Sequence, residues 1–84
     1  MNRQFGDARY VSCFVEDVEQ GLGGYELTRH RAGKQESVAR IVFWDAVGQF
    51  FVQTFDELPL EVLEELIQEA RTNIRTRRAE GATA

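Results

Sequence analysis

The stretch from Ala39 to Phe55, ARIVFWDAVGQFFVQTF, decides the fold. Two runs rich in β-branched and aromatic residues flank a break at Asp45 to Gly48, the pattern of a β-hairpin. Asp45 and Gly48 take the first and fourth places of a turn, where a side-chain acceptor and a residue tolerant of positive φ are favoured. A type I turn with a bulge at Gly48 opposes Asp45 to Gln49. That register puts Val42, Trp44, Phe50 and Val52 on one face, and Ile41, Phe43, Phe51 and Phe55 on the other. A two- or four-residue loop exchanges partners between the sets, yet each face still carries several large apolar groups.

Outward from the hairpin the pattern stays extended. RYVSCFVEDV (Arg9 to Val18) reads as a strand, and EQGLGG after it as a turn. In YELTRHR, Tyr25, Leu27 and Arg29 alternate with Glu26, Thr28 and His30, the period-2 sign of a strand with one half-buried face. AGKQE then turns the chain into the hairpin. After Phe55 the period changes. DELPLEVLEELIQEARTNIRTRR has proline near its first turn, glutamates through its first half and arginines at its end, each where the helix dipole favours it. Leu60, Leu63, Ile67, Ala70 and Ile74 form the expected apolar stripe, widened by Val62 and Leu66.

Three or four strands followed by one helix give an α+β fold, an antiparallel β-meander with a C-terminal helix packed on one face. Residues 1–78 form the single domain, and residues 79–84 a disordered tail. A helix of about 18 residues is roughly 27 Å long and covers one face of such a sheet. The other face, with Trp44 or a phenylalanine at its centre, needs a different cover.

Composition narrows what that cover is. The chain has 84 residues, 43% hydrophobic and 29% charged, which excludes a disordered segment. A domain of this size buries only about 60 to 65% of its unfolded surface, so exposed apolar area needs a reason. The net charge of −4 argues against a general grip on nucleic acid or anionic membrane. Cys13 is the lone cysteine, read as a small buried hydrophobe among Val11, Phe14 and Val15, and an internal disulfide is impossible. With no apolar leader and no run of about 18 apolar residues, the expected location is the cytoplasm.

Catalytic and cofactor chemistry finds little footing. His30 stands alone as a strand residue, and Ser12 and Ser37 lack a nucleophile-elbow context. Glu61, Glu64, Glu65 and Glu69 read as a solvated helix face, and GLGG precedes a strand where a phosphate loop needs a helix. No enzyme, metal or cofactor is therefore expected. Arg71, Arg75, Arg77 and Arg78 form one basic cluster, joined in principle by Arg29, Arg31 and Lys34, with Arg71, Arg75 and Arg78 as its candidate contacts. Arginines at a helix C-terminus also complement its carbonyls, and six acids with no base from Asp56 to Glu69 dilute the field. Nucleic-acid binding through these arginines is thus the third reading. The second is a small-molecule cleft around Trp44. The first is a non-enzymatic interaction module, a homodimer or a binder of another protein, using an apolar face made of Val42, Trp44, Phe50 and Val52.

Overall fold

The computed structural model describes residues 1–83, with side chains as far as Ile74. Five strands follow in order, β1 (Asn2–Phe5), β2 (Ala8–Asp17), β3 (Leu22–Arg31), β4 (Lys34–Trp44) and β5 (Gln49–Thr54), and then the helix α1 (Leu60–Thr83). Each strand pairs antiparallel with the next, so the sheet order is the chain order. The α+β meander stands, with one strand more than expected. The extra strand is β1, whose polar Asn2, Arg3 and Gln4 carry no apolar alternation. It turns into β2 at Gly6, φ 62°. The expected disorder of residues 79–84 lies outside the described side chains.

Both inner turns are tighter than the sequence implies. Gly23 and Gly24 are residues of β3 rather than of a turn, and β4 starts at Lys34 inside the expected AGKQE turn. What remains between β3 and β4 is Ala32 and Gly33, at φ 52° and 75°, the doubly positive geometry of a type I′ hairpin.

The helix-side face of the sheet supplies the core. Ala8 and Tyr10 of β2, Leu27 of β3, and Ala39 and Ile41 of β4 pack against Val62, Leu66 and Ala70. A register shift between Leu27 and Thr28 inserts Val38 as an extra residue on β4, and it is buried too. Along α1 the buried residues step by four through Val62, Leu66, Ala70 and Ile74. Leu60, expected in the stripe, is 71% exposed. Two residues from Val62 at about 100° each, it sits on the opposite side of the helix.

The helix packs over β3 and β4, and its acidic side chains reach across to β1 and β2. Arg3 donates to Glu61 and Glu65 at 3.0 and 2.5 Å, and the Ser12 hydroxyl donates to Glu69 at 2.6 Å. Three of the glutamates read as a solvated face thus hold strand partners. The two exposed Arg3 pairs contribute about 0 to 1 kcal/mol each, so they orient the helix more than they secure it, whereas the Ser12–Glu69 bond is partly buried.

A buried cation ties the sheet to the start of the helix. Arg29 is buried on the helix-side face and donates to the Asp56 carboxylate at 2.7 Å and to the Glu57 carbonyl at 3.0 Å, with Glu36 at 3.2 Å. Arg29, helped by the Glu57 backbone N–H, holds the Asp56 carboxyl below its ordinary value of 3.8. A depressed folded value means that the stabilisation is complete above the ordinary value and is lost as pH falls through the folded one. Asp56→Asn is therefore expected to lower the urea midpoint at pH 6, with the gap to the parent closing as pH falls below 4. A gap that stays constant down to pH 2 would show that Asp56 acts by packing alone.

Candidate functional site

The sheet face away from the helix is graded along its strands. Read across β1 to β4, the row at one end holds Gln4, Arg9, His30 and Gln35. The middle row, across β2 to β5, is Cys13, Glu26, Arg40 and Gln53, and next to it stand Val15, Gly24, Val42 and Phe51. The far row is Asp17, Leu22, Trp44 and Gln49. The centre of this face is thus polar, and its apolar patch is confined to the end where β4 turns into β5. Cys13, expected to be buried, is exposed here because its strand register turns it away from the helix, opposite Glu26.

Val42, Trp44, Phe50 and Val52 do not share a face. The loop from Asp45 to Gly48 holds four residues, pairing Trp44 with Gln49 and Phe43 with Phe50. The N–H groups of Val47 and Gly48 both donate to the Trp44 carbonyl, at 3.2 and 2.8 Å, and Gly48 has φ 71°. Val42 and Trp44 therefore lie on the open face, whereas Phe50 and Val52 lie on the helix side. Phe50 meets Phe43 edge to face with ring centres 5.1 Å apart, and it packs against the core. Val42 is buried and Trp44 half-buried.

The exposed apolar surface gathers around β5 instead. Phe51 is 49% exposed on the open face, Val52 51% on the helix side, and Phe55 50% just past the strand. Strand β5 is an edge of the sheet, so one side of its backbone faces no strand among the described residues. The two edges are unlike. β1 has four residues and carries Arg3, whereas the run from Ala46 to Phe55 has no charged side chain at all. A short polar edge resists pairing, and a neutral apolar one invites it.

Among the described residues, the basic side chains fall at separate places in the fold. Arg29 is committed to its buried ion pairs, and the side chains of Arg75 and Arg78 lie outside the described residues. Arg71 is exposed near the Tyr25 end of the helix, where Asn73 donates to the Tyr25 hydroxyl at 2.9 Å. Arg31 and Lys34 sit at the other end, lining with Arg9, His30 and Asp7 a groove of about 460 Å³. His30 is eight residues from Leu22 along β3, roughly 26 Å at about 3.3 Å per residue, so this groove is remote from the Trp44 row. Among the described residues, no group of His, Cys, Asp and Glu side chains is placed to hold a metal ion. No helix among the described residues is long and apolar enough to cross a membrane. Compared with known proteins, the chain matches no family model, no curated protein and no solved structure.

Proposed function

We propose that this chain is a non-enzymatic interaction module that acts in the cytoplasm and self-associates through the β5 side of its sheet. The observation that carries the proposal is the exposed, uncharged edge strand with apolar side chains on both of its faces. Exposed apolar groups that recur on one element, rather than singly, mark interaction surfaces. The working surface is then Phe51, Val52 and Phe55, with Val42 and Trp44 behind it as support. This shifts the contact by one strand from the face built on Trp44, while keeping the self-associating homodimer.

Light scattering at two concentrations tests it. At about 100 μM the mass is expected to be twice the 9.6 kDa of the chain, falling toward the monomer on dilution. Val52→Lys places a charge on the edge without touching the buried core, and is expected to weaken association about tenfold or more, with the circular dichroism unchanged. A monomeric mass for the parent at 100 μM would remove the proposal.

A further inference from the structure

We infer that the occupant of the β5 edge is a second copy of the chain, joined edge to edge so that two five-stranded sheets form one continuous sheet with Phe51 opposite its own copy. The inference rests on the self-association proposed above and specifies its geometry. A sheet edge offers a row of unpaired N–H and C=O groups that another strand satisfies by hydrogen bonds. The neutrality of the run from Ala46 to Phe55 favours a second copy, because this net-negative chain meets no like charge when β5 is laid against β5. The helix packs over β3 and β4 and leaves β5 open, with Val52 on its helix side and Phe51 on its other side each about half exposed.

Symmetry narrows the register. Residues directly opposed in an antiparallel pair point to the same side, so a two-fold axis joining two β5 strands stands perpendicular to the sheet. It passes through a residue that faces itself. Within Gln49–Thr54, centres at Phe51 and at Val52 both overlap five residues, more than any other choice. With Phe51 at the centre, Phe51 meets Phe51, Phe50 meets Val52, and Gln49 meets Gln53. Aromatic, aromatic with β-branched, and amide with amide are all favourable cross-strand pairs. With Val52 at the centre, Phe51 meets Gln53 and Phe50 meets Thr54, each an apolar group against a polar one. Complementarity selects Phe51.

Cysteine pairing tests the register. In a Cys13→Ser background, an equimolar mixture of the Gln49→Cys and Gln53→Cys chains is oxidised gently. Opposed residues have Cα atoms about 4.5 to 5.5 Å apart, within the reach of a disulfide. A linked heterodimer is expected as the main product. Either variant alone is expected to stay unlinked, because like residues would be more than about 13 Å apart along the seam. On the parent chain, alternate β5 amides are expected to exchange at least tenfold more slowly at 100 μM than at high dilution. A dimeric mass without the 49–53 link and without β5 protection overturns the edge geometry and leaves self-association standing. Linkage of Phe51→Cys with Gln53→Cys instead overturns the register in favour of Val52. A monomeric mass overturns both and leaves the edge for a strand of another protein.

Discussion

Gly24→Ala is expected to unfold much of the domain, while Gly23→Ala, one residue earlier on the same strand, leaves it folded. A Cβ on Gly24 would stand 1.9 Å from the Ile41 carbonyl oxygen, 2.7 Å from the Val42 Cα and 2.8 Å from the Ile41 carbonyl carbon. All three are backbone atoms of β4, so no change of rotamer relieves the overlap, and the β3–β4 pairing itself has to open. Overpacking a core with side chains typically costs about 1 to 3 kcal/mol. Displacing the paired backbone belongs to the exceptional class of about 4 kcal/mol or more. In a domain this small that lowers the melting temperature by roughly 20 °C or more. At Gly23 an added Cβ meets nothing within 4 Å. There alanine also restricts the unfolded chain, so the melt is expected to stay level or rise by up to about 1 kcal/mol of stability. Thermal melts of the two variants followed by circular dichroism decide it, and a Gly24→Ala melt within about 3 °C of the parent would refute the close approach. The site matters for function because Gly24 pairs with Val42, whose other neighbour is Phe51 of the edge strand.

How far the fold was legible depends on the residue. The alternation of Tyr25, Leu27 and Arg29 does mark the helix-side face of β3, and the change of period after Phe55 does mark α1. The double glycine at Gly23 and Gly24 misleads because glycine signals both a turn and a place where two backbones approach. Only the second applies here, and nothing local separates the two. The hairpin fails more subtly. A positive φ at Gly48 belongs equally to a three-residue loop with a bulge and to the four-residue loop observed, and the difference of one residue turns β5 over. Phe50 and Val52 thereby leave the company of Trp44. Arg29 is misplaced for a related reason. Its charge suggests a surface contact, but although Glu36 faces it across the β3–β4 hairpin, Asp56 is remote in sequence and meets it only once the segment before the helix is docked. That some apolar surface would remain uncovered follows from one helix on a sheet with two greasy sides. That it lies on an edge follows only from the strand order.

Leu66→Ala is expected to destabilise the domain by about 2 to 5 kcal/mol, and Leu60→Ala by no more than about 0.5. Leu66 is fully buried against the sheet, whereas Leu60 is on the solvent side. Alanine is the best helix former, so neither change weakens the helix itself, and the cost at Leu66 is the lost packing and the cavity it leaves. Equal effects at the two positions would mean that α1 is rotated from the orientation described. The same melts separate core from contact. Self-association adds to apparent stability by mass action, so Val52→Lys is expected to lower the melting temperature at about 100 μM and to match the parent at high dilution, where both are monomers. Leu66→Ala removes packing inside each copy, and its deficit is expected to persist at every concentration. A Val52→Lys deficit that also survives dilution would place Val52 in the fold rather than at a seam.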